Sequence, residues 1–459
     1  MESNQKSFIA TLLQSSTARM VMVGILILVL LIPLELVKSL VRERKYRQEE
    51  VIGEINSKWG EKVFFYGPIL KVPYTSYEKN TVYDKKLGTT VIERKAQQNV
   101  AYFFPETLKN ISNVMTETKK RNNYESVVFT AEMEFEGKYV KPDFSSKNIP
   151  EEDIHWDKAT ILIRTTNLSS IKNGVSINLS GKSYPFEPIY EESSSNYAEY
   201  DEYNGHTGTY FVVSSLETSF FNLKEHFDNG NFNFSIKYDG SSSISIVPIG
   251  KITESTVKSN WKDPSFKGNF LPYQKEITNS GFSADWKVLH INRPFAQQSF
   301  GVLPSIEKYT FDVDFVIPVD EYQQNERASK YGFLVIGLTF LIFFLIQTIS
   351  KVKIHIFQYT MIGLALIMFY TLLISITEHS SFSKAYLIAS LMVILLISLY
   401  SVSILKNRKF PFFIGCSLSA VYGFIYVIIQ LENYALLVGS IGLFAILAIV
   451  MYVSRKIEW

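Results

Sequence analysis

The sequence predicts an α-helical membrane protein with six transmembrane helices and a large inserted domain that is β-rich and extracytoplasmic. Two observations predict this fold class. Six apolar stretches are each about one bilayer thick, one near the start and five after residue 330. The polar residues between them, 61–328, show the period of two that is typical of strands. We expect that domain to be sandwich-like and antiparallel, with some short helices.

The first apolar stretch, residues 20–37, is interpreted as an uncleaved transmembrane anchor. It is long for a signal peptide, and no cleavage site with small residues follows it. The other candidate spans are residues 331–349, 357–376, 385–405, 410–430 and 434–453. The short gaps between these five predict antiparallel neighbours. We therefore expect a five-helix bundle over residues 331–453, with short tails at 1–19 and 454–459.

The distribution of basic residues predicts the orientation in the membrane. Six spans place both termini on one side. Basic residues gather in the short loops and tail on that side: Lys351, Lys353, Lys406, Arg408, Lys409, Arg455 and Lys456. The opposite short loops carry only Lys384. By the positive-inside rule the termini are cytoplasmic and residues 38–330 lie outside. A basic run just after the first span lies on the outer side, but long domains translocate largely regardless of charge.

The inserted region begins with a helix and continues with strands. Apolar residues at helical spacing predict a stalk over residues 38–60, with Gly60 as a C-cap. From there the stretch VFFYGPILKVPY indicates two strands around a Gly67–Pro68 turn. Many similar short strands follow, and short helices are expected near residues 106–115 and 216–227. The acidic stretch 191–208 is interpreted as a solvated loop rather than a calcium site, because it lacks the ligand spacing of a calcium loop.

A carboxylate and an imidazole, Glu378 and His379, interrupt the apolar sequence between the third and fourth spans. One interpretation is interfacial solvation, with Ser381 or Ser383 capping the next helix. A second is a docking contact of Glu378 or of Glu432, in the other outer loop, with an arginine after the first span. A third is a proton or metal site. The candidate residues are Glu378, His379, Glu432, Arg42, Arg44 and Arg47.

Known catalytic and nucleotide-binding motifs are absent from the sequence. We therefore predict no catalytic residue, cofactor or metal ligand. The single cysteine, Cys416, excludes an intramolecular disulfide and a thiolate metal cluster. A net charge of +2, without a basic and aromatic reader motif, gives no indication of a nucleic-acid partner. The expected partner from the apolar spans is the lipid bilayer.

Several long stretches resemble the CreD family of bacterial inner-membrane proteins. They include RERKYRQEEVIGEINSKWG, SNWKDPSFKGNFLP, GFSADWKVLHINRPF and PVDEYQQNERASKYGFLVIGLTFLIFF. The resemblance runs in order from about residue 20 to the C-terminus. Two positions depart from the expected pattern, with Ile356 in place of a proline and Gln347 in place of a glutamate. The resemblance implies a role in cell-envelope integrity, stress response and colicin tolerance for an inner-membrane protein, and with it an envelope protein or cell-wall component as a further partner. It implies no accepted catalytic residue, cofactor or transported substrate.

Three functions are compatible with the sequence. The first is a non-enzymatic inner-membrane protein whose periplasmic β domain binds another envelope component. The second is a transporter or lipid-handling protein that uses the helix bundle as a path, which would need Gln358, Ser375 and Tyr370 to line a cavity. The third is a membrane-anchored extracytoplasmic enzyme, which would need a cleft with converging Asp, Glu or His side chains.

Overall fold

The computed structural model divides the chain into two compact units. The first is Met1–Glu50 with Val319–Trp459, and the second is Val51–Pro318. The structure describes residues 16–84, 89–121, 123–189, 196–200, 207–315, 317, 321–350, 352, 354–405, 409–431 and 434–455. We call the first the helical unit and the second the β unit.

Helices α1 to α7 are formed by the described residues. They are α1 (Ser16–Trp59), α2 (Glu321–Lys330), α3 (Gly332–Ser350), α4 (Ile356–Thr377), α5 (Phe382–Leu405), α6 (Lys409–Gln430) and α7 (Ala435–Ser454). All except α2 are long and apolar enough to cross a bilayer. The prediction of six apolar helices, one N-terminal and five C-terminal, is confirmed.

The first span packs with the other spans inside the helical unit. Its buried residues recur every three or four positions, as one face of a helix requires: Leu26, Leu30, Leu34, Val37 and Val41. Two glycines of neighbouring helices make room for this face. A Cβ on Gly363 of α4 would meet Leu30, and one on Gly332 of α3 would meet Leu34. The predicted five-helix bundle therefore includes α1 as a sixth packed helix.

The short helix α2 was not predicted, because its region was assigned largely to the β domain. It follows the last strand and precedes the second span, and it belongs to the helical unit. Its buried side chains are those of Tyr322, Asn325, Ala328 and Ser329. This mixture of polar and small buried residues has little hydropathy signal, which explains why the pattern did not indicate a packed helix.

The β unit contains the strands β1 to β18 in the described residues. Their bounds are β1 (Val63–Asp84), β2 (Thr89–Phe103), β3 (Thr107–Arg121), β4 (Tyr124–Lys138), β5 (Thr160–Thr165), β6 (Ser176–Leu179), β7 (Lys182–Ile189), β8 (Asn196–Tyr200), β9 (Thr207–Val212), β10 (Ser214–Thr218), β11 (Asn231–Ser241), β12 (Ser243–Ile246), β13 (Ile252–Ser259), β14 (Pro264–Gly268), β15 (Gln274–Thr278), β16 (Gly281–Leu289), β17 (Gln298–Phe300) and β18 (Phe311–Phe315). The predicted strand–turn–strand around Gly67–Pro68 is one long strand with a register shift between Tyr66 and Ile69.

The main sheet has 16 strands, and its two halves pack against each other. The order is β14-β18-β12-β1-β5-β10-β7-β6-β11-β4-β3-β13-β16-β15; off this path, β2 pairs with β1 and β17 pairs with β2. Ring contacts join the two halves across the core. The ring centroids of Phe65 and Phe135 are 4.4 Å apart, and those of Phe129 and Phe315 are 4.9 Å apart. Most pairs are antiparallel, but β1–β12 and β3–β13 are parallel. The sandwich-like prediction therefore holds with a mixed rather than purely antiparallel sheet.

Two local predictions for this unit are wrong. Residues 106–115, predicted as a helix, lie in β3. Leu108, Ile111 and Met115 have helical spacing, but the buried face is Leu108 and Val114 with the polar pair Asn110 and Ser112. The helix predicted near residues 216–227 is reduced to a 3₁₀ turn, Leu223–His226, after strand β10.

A third prediction is wrong in part. Within the acidic stretch 191–208, which was predicted as a loop, residues 196–200 form β8; residues 191–195 and 201–206 lie outside the described residues. β8 pairs with β9 in a separate two-stranded sheet. Most of β9 lies in the segment GTYFVVSSL.

Candidate functional site

Arg44 and Glu378 form an ion pair inside the helical unit. Arg44 lies on α1 beyond the apolar stretch, and Glu378 follows directly on the last residue of α4. The distance from Arg44 Nη1 to Glu378 Oε1 is 3.3 Å, with side-chain exposures of 44% and 22%. The pair is therefore partly desolvated and fastens α1 to the end of α4.

A second ion pair fastens α1 to α2. Lys45 Nζ lies 3.8 Å from Glu326 Oε2, and Lys330 Nζ lies 2.9 Å from Glu326 Oε1. The hydrogen bond from Lys330 and the positive charges of Lys330, Lys45 and Arg42 lower the pKa of the Glu326 carboxyl. Glu326 therefore stays ionised at neutral pH and keeps its attraction for Lys45.

Buried neutral groups lie beside these pairs. Asn325 and Thr377 are both almost fully buried. The Thr377 hydroxyl donates to the Leu373 carbonyl at 2.6 Å and lies 3.5 Å from Asn325 Oδ1. Arg327 Nη1 donates to the carbonyl of Ile429, near the end of α6, at 3.5 Å. We use the name polar cluster for the residues Arg44, Lys45, Asn325, Glu326, Lys330, Thr377 and Glu378.

Among the described residues, Arg42, Arg47 and His379 make no ion pair with the polar cluster, although the charge of Arg42 acts on Glu326. Arg42 pairs with Glu35 at 2.5 Å and Arg47 with Glu50 at 3.6 Å, both along α1 itself. His379 is exposed, and its ring has no hydrogen bond or ion pair among the described residues. Of the predicted cation–carboxylate pairs, the structure brings together Arg44 and Glu378.

Three further predictions concern the outer loops. Glu432 lies outside the described residues. Ser381 directly precedes α5, as a cap would, whereas the Ser383 hydroxyl accepts a hydrogen bond from Tyr426 at 3.0 Å. Asn325, Glu326 and Thr377 were not predicted as site residues. The charge pattern of EYQQNERASK, between the last strand and the second span, was the available signal for α2 and its contacts.

Comparison with known proteins gives the family. A family model described as "Inner membrane protein CreD" matches residues 15–459. The chain belongs to the CreD family of inner membrane proteins. It is 28% identical to the inner membrane protein CreD of Escherichia coli (strain K12) over 435 residues, which cover 94% of this chain and 91% of that protein. The resemblance seen in the sequence is thereby confirmed.

Gln347 and Ile356, the two positions predicted to depart from the CreD pattern, lie near the end of α3 and at the start of α4. Gln347 is buried, and its amide oxygen accepts a hydrogen bond from the Tyr359 hydroxyl at 3.0 Å. Ile356 is the first residue of α4, after His355, whose Nδ1 accepts from the Phe357 backbone N–H at 3.2 Å. In this chain the Gln347 amide therefore has a hydrogen-bond partner in Tyr359, and His355 caps the start of α4.

The three residues that a path through the bundle would need lie at different depths along α4. Tyr370 is buried, with its ring 4.8 Å from that of Phe369. Gln358 lies in the first turn of α4, where its side chain accepts from the His355 backbone N–H, and Ser375 is exposed. Gln358 and Tyr370 are about 18 Å apart along the helix, at 1.5 Å per residue.

The titratable residues that the structure describes do not form a metal centre. No group of three or more His, Cys, Asp or Glu residues in that part of the chain is placed to hold a metal ion. The arrangement of the polar cluster, with cations facing carboxylates, is suited to holding helices together.

Proposed function

We propose that this protein supports the integrity of the cell envelope from the inner membrane without being an enzyme. In this proposal the β unit faces the periplasm and binds another envelope component, a protein or part of the cell wall. The helical unit anchors it, and α1 carries it. Membership of the CreD family supports the location in the inner membrane.

The observation that carries the proposal is the fastening of α1 by the polar cluster. Arg44 and Lys45, two successive cations on α1, each face a carboxylate from a different segment of the helical unit. A helix that only tethered a domain would need no such contacts beyond its apolar span. Contacts of this kind fit a helix whose position in the bundle matters for the domain that follows it.

The orientation is part of the proposal and rests on the charge bias of the short loops. It predicts cytoplasmic termini and a periplasmic β unit. In a background with Cys416→Ser, a Glu152→Cys and an Arg455→Cys variant would each be treated with a membrane-impermeant maleimide. We expect Glu152→Cys to react on intact spheroplasts and Arg455→Cys only after lysis. The opposite pattern would overturn the orientation.

The role in the envelope is tested by loss and restoration of the gene. A strain without it is scored for survival under detergent and β-lactam stress, with and without the wild-type chain restored at the normal level. We expect survival to fall on loss and to return on restoration. Equal survival of the three strains would contradict an envelope role.

A further inference from the structure

Strand β7 joins the two halves of the main sheet. On one side it pairs with β10, from Ser215↔Ile189 to Thr218↔Phe186. On the other side it pairs with β6, from Ser176↔Pro185 to Leu179↔Lys182. In the strand order of the main sheet, β7 is the strand at which one half passes into the other. A second backbone connection lies at Ser242, whose N–H donates to the Val127 carbonyl at 3.4 Å and whose carbonyl accepts from the Phe315 N–H at 2.8 Å. Loosening β7 therefore weakens one of the connections between the halves.

The sequence of β7, KSYPFEPI, gives the strand few hydrogen-bond donors and few buried side chains with which to stay paired. Pro185 and Pro188 have no backbone N–H to donate to a neighbouring strand. Phe186 is its one fully buried side chain and Tyr184 is half-buried, while the other six residues are exposed. A joining strand with so little buried side-chain surface depends on contacts made from outside the sheet.

Two side-chain contacts from the 3₁₀ turn Leu223–His226 provide such support. The Tyr184 hydroxyl lies 3.1 Å from His226 Nε2, and Lys182 Nζ lies 2.5 Å from Glu225 Oε2. Asn222 begins the turn, and its side chain accepts from the Lys224 backbone N–H at 3.2 Å. We call the four residues Lys182, Tyr184, Glu225 and His226 the β7 clasp.

His226 is suited to its place in the clasp only in its neutral form. It is almost fully buried, with rings of Phe221 and Tyr184 edge-on to its own at 5.8 and 6.0 Å. Its Nδ1 has no hydrogen-bond partner among the described residues. A protonated ring would donate from both nitrogens and would leave one donor buried without an acceptor.

The charged groups around His226 do not remove the free-energy cost of protonating its buried ring. Burial is the largest cause that lowers the pKa of His226; the charge of Lys182 lowers it further, and that of Glu225 raises it in part. The Glu225 carboxylate is already paired with Lys182. Elsewhere on the turn, Lys224 Nζ points to Glu151 at 3.9 Å. The charged residues of the neighbouring turn Trp156–Lys158 are exposed: Asp157 and Lys158.

We propose that His226 is a pH-sensitive latch, whose protonation releases β7 from the 3₁₀ turn and loosens this strand of the β unit. A released His226 is solvated and binds a proton near its ordinary pKa of about 6.5, more tightly than the clasped residue does. The clasped state is therefore most stable, relative to the released state, above about pH 6.5. Its relative stability decreases as the pH falls towards the lowered pKa of His226. Over that window the opening equilibrium rises by up to about tenfold per pH unit, as expected for one proton.

Hydrogen exchange followed by mass spectrometry tests the latch on the full chain in detergent micelles. Protection of peptides that cover β7 is compared at pH 7.5 and 5.5, after correction for the intrinsic exchange rates. We expect β7 to lose protection by at least several-fold at pH 5.5, while peptides of β3 and β4 keep theirs. Equal protection of β7 at the two pH values would overturn the proposal without need of any variant.

Two variants separate the latch from general acid loosening. In His226→Gln the side chain can still bond to Tyr184 but does not titrate, so the pH dependence of β7 exchange is expected to disappear. Its persistence would overturn the role of His226. Tyr184→Phe removes the hydrogen bond and is expected to raise β7 exchange already at pH 7.5. Unchanged exchange there would show that this contact does not hold the strand.

Discussion

At the scale of single residues, Arg44 and its neighbour Arg42 differ in what they fasten. Both are on α1, one turn or less apart, and each contacts a carboxylate. The partner of Arg42 is Glu35 on the same helix, whereas the partner of Arg44 is Glu378 at the end of α4. A contact within one helix stabilises that helix, and a contact between segments fixes their packing. The two arginines therefore form a matched pair for experiment.

Replacement of Glu378 by Gln should lower the stability of the helical unit slightly. The pair is partly exposed, so solvent screening limits its contribution to about 0.5–1 kcal/mol. Thermal unfolding of the purified full chain in detergent measures this loss. The control is Arg42→Gln, whose pair with Glu35 is more exposed on both sides and should contribute less. A larger loss in the control would contradict the role given to Glu378.

A buried ion pair in the β unit should behave differently. Arg164 Nη1 lies 2.6 Å from Glu307 Oε1, with side-chain exposures of 10% and 2%. Glu307→Gln removes the negative charge that faces the buried guanidinium and should cost about 3–5 kcal/mol in denaturant unfolding. In the exposed pair of Lys109 and Glu136, the matched change Glu136→Gln should cost far less, because water screens both charges. Similar decreases in the free energy of unfolding for the two variants would show that burial does not determine the contribution of an ion pair.

At the scale of elements, the packing of α1 within the helical unit depends on small residues of the neighbouring helices. Gly363 of α4 faces Leu30, and a Cβ there would lie 2.2 Å from Leu30 Cδ1 and 3.1 Å from a ring atom of Phe340. Leu30 can give way to a methyl group by changing its rotamer, because the atom concerned is at the end of the side chain. A larger side chain at Gly363 would have to displace α1 itself.

Gly363→Leu should therefore destabilise the helical unit by about 1–3 kcal/mol through overpacking between α1 and α4. The control is Gly423→Leu in α6, where nothing lies within 4 Å of the added Cβ. The midpoint of thermal unfolding of the two full-length variants, measured in the same detergent, compares them. If Gly423→Leu lost as much as Gly363→Leu, the close approach of α1 and α4 would not explain the effect.

Some of these elements could be predicted from the sequence, and the reasons differ from one to another. The six spans are visible because about 20 successive apolar residues are a local signal. Strand β3 was predicted as a helix because Asn110 and Ser112 are buried polar residues, which hides the period of two. Their burial is possible because Asn110 Oδ1 accepts from both Ser112 and Ser255, at 2.9 Å each, a contact that reaches across to β13.

The polar cluster was predictable only in part. A pairing of Glu378 with an arginine after the first span was a hypothesis from topology and charge. The choice of Arg44 over Arg42 and Arg47 depends on which face of α1 is buried. The contributions of Asn325 and Glu326 depend on α2, whose short and mixed sequence gave no helix prediction. Helix packing decides both, and a single sequence does not contain that information in local form.

At the scale of the whole molecule, one continuous helix belongs to both units. α1 runs from Ser16 to Trp59, and the division between units falls after Glu50. Within the β unit its end is fastened as well, since Asn56 Oδ1 accepts from the Ser126 hydroxyl at 2.6 Å and Trp59 Nε1 donates to the Phe129 carbonyl at 3.3 Å. A helix fastened by side chains in each unit is more than a tether, which is the basis of the proposed support role.

The most direct test of this account is a charge exchange between Arg44 and Glu378, scored by survival under detergent and β-lactam stress. A strain without the gene receives the wild-type chain, Arg44→Glu, Glu378→Arg or the double variant, with membrane insertion checked for each. We expect each single variant to insert but restore survival poorly, because it places two like charges in the polar cluster, and the double variant to restore it. Full survival with both inserted single variants, or no recovery in the double variant, would contradict the account.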